Sequence, residues 1–172
     1  MIKKQAGNIY EQAFENWLID NHIQYFPAEQ LRKTSSRTRS LKSFDFLVCP
    51  DNGKKILAEV KGRKFTGTTL EGLKGLQNWV TRNDVESFTK WHELFGSEYD
   101  AVFVFAYYIS NVDVDCDGRE LFEFAEQSYL FLLISLEDYR SCMKPRSSSW
   151  DTVCLSADDF RRCTRDITDL FV

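Results

Sequence analysis

Histidine is scarce: the 172-residue chain has two, which excludes histidine-rich metal centres. The five cysteines, at positions 49, 116, 142, 154 and 163, are odd in number, widely spaced and free of any Cys-x-x-Cys pair. That pattern suits a reduced, cytoplasmic protein better than a disulfide framework or a zinc knuckle. Eight glycines and three prolines are too few for collagen-like or low-complexity behaviour. No apolar run approaches the roughly 20 residues that span a bilayer. The opening Met1-Ile2-Lys3-Lys4-Gln5-Ala6 turns polar at once and reads as no signal peptide. A membrane is therefore not expected as a partner. What is present is apolar mass, 43% hydrophobic and 15% aromatic residues, enough for one domain over 1–172.

Charge is uneven. Residues 31–64 hold ten basic side chains (Arg32, Lys33, Arg37, Arg39, Lys42, Lys54, Lys55, Lys61, Arg63, Lys64) against Asp45, Asp51 and Glu59. This stretch is +7 on a chain of −4, so the rest carries −11. A basic segment on an acidic protein is either a phosphate-binding face or a solvated loop.

Ile9, Tyr10, Ala13, Phe14, Trp17 and Leu18 recur at three- and four-residue spacing, predicting an amphipathic helix over 9–21. A short strand is expected at 23–28, a mobile basic loop at 34–40, and strands at 43–49 and 55–61. The three glycines of 66–78 read as a flexible connection. A second helix starts near Asn83, with Glu86 as its capping-box partner. The wholly apolar run 101–109 predicts a central strand covered on both faces. A hairpin at 121–135 and short helices at 136–143 and 156–163 follow. This order predicts a mixed sheet flanked by helices.

Residues 43–64, SFDFLVCPDNGKKILAEVKGRK, are the most informative. A three-residue loop at Asp51-Asn52-Gly53, with Gly53 at positive φ, sets Phe44 against Val60, Phe46 against Ala58 and Val48 against Ile56. The opposite face then pairs Asp45 with Glu59 and Leu47 with Leu57, and Lys61 follows on that side. A one-residue slip would mix Glu59 and Lys61 among the phenylalanines, so the hydrophobic pattern selects this register. Facing carboxylates with Cβ atoms about 5 Å apart repel. Either Lys61 relieves them as a salt bridge on a solvated face, or a divalent cation does. All-oxygen ligation suits Mg²⁺ or Mn²⁺.

Asp45, thirteen residues, then Glu59-Val60-Lys61 resembles the Asp…Glu-x-Lys signature of the PD-(D/E)XK nuclease superfamily, with Glu11 or Glu15 as its upstream helix glutamate. More narrowly, the chain is similar to the HYAxFE-type nuclease-like family. The matching residues are Ala13-Phe14-Glu15, Trp17-Leu18, Leu41-Lys42-Ser43-Phe44-Asp45-Phe46, Glu59-Val60-Lys61-Gly62-Arg63, Asn78-Trp79-Val80-Thr81, Asp84-Val85-Glu86-Ser87, Leu94-Phe95-Gly96 and Arg146-Ser147-Ser148-Ser149-Trp150. It departs where Phe44 replaces the signature proline and Tyr10-Glu11-Gln12 replaces His-Tyr-Ala.

The resemblance implies a single-domain restriction-endonuclease-like fold, α/β with a mixed central sheet. It also implies a Mg²⁺- or Mn²⁺-dependent nuclease acting on nucleic acid, chiefly DNA. Asp45, Glu59 and the Val60 carbonyl would hold the metal, Lys61 would orient or activate water, and Glu15 (alternatively Glu11) would add a carboxylate. Phosphates would meet Arg63 and Lys64, then Lys42, Arg37 and Arg39. The competing class is a nuclease-fold binding module or scaffold without turnover. The intact carboxylates and lysine favour the enzyme.

Other signals are weaker. Asp113-Val114-Asp115-Cys116-Asp117-Gly118 imitates half a calcium loop, but Phe124 stands at position twelve, so an acidic turn is expected. His92 reads as packing. Trp91 is in phase with Phe88 and Phe95 and reads as core. Trp79 and Trp150 are left open between packing and stacking on bases.

Overall fold

The computed structural model describes residues 8–32 and 42–171; the loop at 34–40, with Arg37 and Arg39, lies outside the described residues. Helix α1 (Ile9–Asp20) begins where the Asn8 side chain accepts the Glu11 amide, and it buries Ala13, Phe14, Trp17 and Leu18. Strand β1 (Gln24–Pro27) runs into the unforeseen short helix α2 (Ala28–Arg32), whose Ala28 amide donates to the Asp45 carbonyl.

Strands β2 (Phe46–Cys49) and β3 (Ile56–Phe65) form the expected hairpin, with Phe46 opposite Ala58, Leu47 opposite Leu57 and Val48 opposite Ile56. Gly53 turns it at φ 82°. The register was legible; its last step was not. The chain bends at Asp45, whose carboxylate rather than a strand carbonyl accepts the Val60 amide at 2.7 Å. Phe44 therefore does not face Val60. It packs instead on Trp91 and Phe95, with ring centroids 5.3 and 5.6 Å away.

Residues 66–78 are not the loose connection expected. Leu70, Leu73 and Leu76 are buried at a three-residue spacing, around a 3₁₀ turn at Glu71–Leu73. The Leu70 amide donates to Asp115 O and the Asp115 amide to Thr68 O. Strand β4 (Val80–Thr81) leads into helix α3 (Arg82–Phe95), whose cap lies two residues before the predicted Asn83. Thr81 is the N-cap and Asp84, not Glu86, closes the capping box, because Thr81 alone has the extended backbone from which a hydroxyl reaches the third helical amide.

Strand β5 (Asp100–Ile109) lies parallel to β3, so α3 is a crossover helix. Strands β6 (Phe122–Phe124) and β7 (Gln127–Ser135) make the predicted hairpin, and β7 pairs antiparallel with β5. Helix α4 (Leu136–Cys142) is followed by a hairpin missed by periodicity, β8 (Lys144–Ser147) and β9 (Thr152–Cys154). These strands and β4 form a small sheet ordered β4-β9-β8. Helix α5 (Ala157–Cys163), strand β10 (Arg165–Asp166) and helix α6 (Ile167–Phe171) complete the chain.

The main sheet runs β1-β2-β3-β5-β7-β10, with β6 against β7. Side chains alternate between two cores. Leu57, Phe103, Phe105 and Leu132 pack under α3, α4 and α5; Ala58, Val60, Val104 and Leu133 pack under α1 and α6. This is a mixed α/β restriction-endonuclease-like fold. No helix among the described residues is long and apolar enough to cross a membrane, and all five cysteines are free.

Candidate active site

Where β2 and β3 part, the bend at Asp45 and the odd positions of β3 bring four acids and two lysines into one field. Lys61 Nζ lies 3.1 Å from Glu59 Oε1 and 2.9 Å from Asp84 Oδ2, while Lys42 pairs with the other Asp84 oxygen. Glu59 and Asp84 are both buried. Asp84 is held further by the Thr81 amide, which donates to Oδ2 at 3.0 Å. The capping box that starts α3 thus also positions the lysine's partner. Sequence reasoning gave Asp84 no role because it put the cap two residues downstream; the Thr81-x-x-Asp84 spacing was the available signal.

The electrostatics are unbalanced. Burial, then the negative charges of Glu11 and Glu59, push the Asp45 carboxyl up to about 8, against the opposing Val60 amide and Lys61. Burial also raises Glu59, with Asp84 adding to it and Lys61 opposing. Burial disfavours the Lys61 ammonium, yet Glu59 and Asp84 outweigh it and hold the lysine above its ordinary value. Burial acts against the Asp84 carboxylate too, but Lys61, Lys42 and the Thr81 amide bring it down to about 2. With all groups ionised, Glu11, Asp45, Glu59 and Asp84 exceed Lys42 and Lys61 by two charges.

The helix glutamates separate. Glu11 acts on Asp45, and burial followed by Glu29 raises its own carboxyl. Glu15, the first choice from sequence, accepts a hydrogen bond from Tyr25 Oη at 2.8 Å. Gly62 sets the approach of α1, since a Cβ there would lie 2.1 Å from Tyr10 Cδ2. Only a glycine lets that first turn, with Glu11, rest on β3 beside Lys61.

The basic residues also divide. Lys42 is engaged by Asp84. Arg63 is turned inward, donating to the carbonyls of Gly62 and Trp79 with its guanidinium 4.0 Å from the Trp79 ring centre. Lys64 is exposed, its ammonium 6.0 Å from the Tyr108 ring centre. Arg37 and Arg39 lie outside the described residues. His92 is accounted for by the Tyr99 carbonyl at 2.6 Å, and Trp91 is core, its indole donating to Lys42 O. Residues 113–118 form an acidic turn, with Asp115 Oδ1 accepting the Asp117 amide.

Among the described residues no three His, Cys, Asp or Glu side chains meet as a ready-made metal cage. The fit to a cation rests on Asp45 and Glu59, an oxygen-only pair in a field short of positive charge. Mg²⁺ characteristically uses one or two carboxylates and completes its shell with water and phosphate. The donor set fits such an ion.

Comparison with known proteins agrees at the level of the fold. No protein-family description and no curated protein matches the chain. Among solved structures the chain is similar to Hjc of Archaeoglobus fulgidus, a Holliday junction resolvase from an archaeal hyperthermophile. The TM-score is 0.53 at 10% identity, over 95% of this chain and 93% of the other.

Proposed function

We propose that this chain is one PD-(D/E)XK nuclease-like domain of the HYAxFE type, a Mg²⁺- or Mn²⁺-dependent nuclease acting on nucleic acid, chiefly DNA. The observation that carries the reading is the convergence of Asp45, Glu59 and Lys61 at the parting of β2 and β3, with an electrostatic deficit centred on Asp45. The resolvase-like fold supports it.

Asp45, Glu59 and the Val60 carbonyl would hold the ion, and Glu11 is better placed than Glu15 to add a carboxylate. When bound, the ion supplies Lewis acidity toward a phosphoryl oxygen and lowers the pKa of a water ligand. Lys61, kept protonated by Glu59 and Asp84, orients the attacking water and balances charge developing on the phosphate. Asp84 positions Lys61 and touches no reacting atom. Lys64 and the 34–40 loop arginines Arg37 and Arg39 remain candidates for the phosphate backbone, and Lys42 becomes one when it leaves Asp84.

The same Lys61 contacts favour a second reading. An ammonium between two acids can replace a metal, as in a nuclease fold kept for binding alone. One experiment separates the two: a labelled panel of single-stranded, duplex, flapped and branched nucleic acids incubated with Mg²⁺ or Mn²⁺. Cleavage lost in Lys61→Ala establishes the enzyme. Binding without cleavage in any metal establishes the binding module.

A further inference from the structure

The sequence singled out Trp79 and Trp150, and the active site uses neither. Both belong to the small β4-β9-β8 sheet, Trp79 immediately before β4 and Trp150 in the β8–β9 turn. The Trp79 ring lies near two guanidiniums, Arg63 at 4.0 Å and Arg146 at 5.2 Å from its centre. Arg63 is engaged with backbone carbonyls. Arg146 is exposed and makes no hydrogen bond or ion pair among the described residues, so its planar fork is oriented by the indole while its donors stay free. Trp150, four residues on, is 78% exposed, whereas Trp17 and Trp91 are buried.

The turn that carries Trp150 is fixed. The Trp150 amide donates to Ser147 Oγ, Asp151 takes a left-handed φ of 46°, and Arg82 holds it through its amide to Asp151 O and its Nε to Asp151 Oδ1 at 3.1 Å. Thr152 pairs with Thr81, the residue that caps α3 and holds Asp84 against Lys61. Hairpin and catalytic lysine are therefore set by one short chain of contacts.

We infer that the β8–β9 hairpin is a strand grip: Arg146, laid on Trp79, takes a backbone phosphate, and Trp150 stacks on an unpaired base of the same strand. The substrate class is then nucleic acid with unpaired nucleotides beside the cleaved bond, a statement that rests on the nuclease reading above. A polyanion is the occupant favoured by charge, since Arg146 and Lys144 face solvent while the turn's acid, Asp151, is already paired with Arg82. Trp is the side chain best suited to stacking on any base, and phosphate contacts add affinity without sequence preference.

The test measures binding by fluorescence anisotropy, in a Lys61→Ala background that stays intact through the titration. Probes are a blunt DNA duplex, the same duplex with a single-stranded gap, and the free single strand. Trp150→Ala should weaken the gapped and single-stranded probes about fivefold to hundredfold and change the duplex by less than about twofold. Trp150→Phe should restore most of the loss. Arg146→Ala should weaken every probe and lower the salt slope by about one.

Equal losses on duplex and gapped DNA, or no loss, overturn the grip, as does a change in oligomeric state with no change in DNA binding. If no probe is ever cut yet Trp150 still sets the preference for unpaired strands, the nuclease reading fails and the grip stands. If cleavage is normal and Trp150→Ala is silent, the grip alone fails.

Discussion

At the residue scale the site is governed by two aspartates displaced in opposite directions. Asp45 titrates at about 8 in the folded chain against 3.8 ordinarily, so between about pH 4 and 8 the folded state holds a proton the unfolded state has lost. Stability from this residue falls as pH rises through that window. Asp84, at about 2, behaves oppositely: its contribution is present above pH 4 and disappears as pH falls toward 2. Urea denaturation across pH should therefore show Asp45→Asn removing a downward slope between pH 4 and 8 and raising stability at pH 7. Asp84→Asn should remove the acid-side loss instead. A variant Asp45→Asn less stable than the parent at pH 7, with the slope unchanged, would contradict the buried-charge account. Asp84→Asn also takes one of two partners from Lys61, so the pH at which cleavage loses its protonated lysine should move down.

At the element scale the same side chains shape the backbone. Thr81→Ala breaks the capping box and should cost about 1 kcal/mol, read by chemical denaturation. It should also reduce cleavage, since Asp84 loses its tether to the start of α3. Gly62→Ala forces a methyl into the Tyr10 ring and should cost about 1–3 kcal/mol while displacing Glu11 from Asp45. A silent Gly62→Ala would mean that α1 is not seated by that contact. How far these elements were readable depends on their signal. The β2–β3 register and the central strand β5 were legible, because period-two patterning and an unbroken apolar run admit few alternatives. That register puts Glu59 and Lys61 on one side of β3, but the ladder ends at Phe46, so Asp45 is not the cross-strand partner of Glu59 that the pattern predicts and meets the site through its bend. The bend at Asp45 was not legible, since it arises when a side chain replaces a ladder carbonyl, which no hydrophobic pattern records. Leucines 70, 73 and 76 were hidden by glycines and by a three-residue period that matches neither helix nor strand. The β8–β9 hairpin escaped because its strands are three and four residues long and mostly polar. Asp84 was overlooked when the cap was placed at Asn83.

At the scale of the whole molecule, the charge deficit at the site should couple metal binding to folding. With Asp45 protonated at neutral pH one net negative charge remains among Glu11, Glu59, Asp84, Lys42 and Lys61, and it becomes two when Asp45 ionises, so a divalent cation should bind the folded chain and find no comparable site in the unfolded one. Its stabilisation is then RT ln(1 + [L]/Kd), about 2.7 kcal/mol at a hundredfold excess over Kd. For a chain of 172 residues that corresponds to a rise in Tm of about 5–10 °C. Mg²⁺ and Mn²⁺ should both produce it, and proton release on binding should make the rise larger at pH 8 than at pH 6, where protons compete for Asp45. Asp45→Asn should abolish the rise from an already higher baseline. Lys61→Ala should keep or enlarge it, because the ammonium competes for Glu59, while losing cleavage. These two variants divide the roles proposed for the two residues, oxygen ligand against water-orienting cation. A melting temperature that ignores millimolar Mn²⁺ in the parent, alongside intact DNA binding, would identify the Lys61–Glu59–Asp84 contacts as the permanent neutralisation of the site and the protein as a binding module.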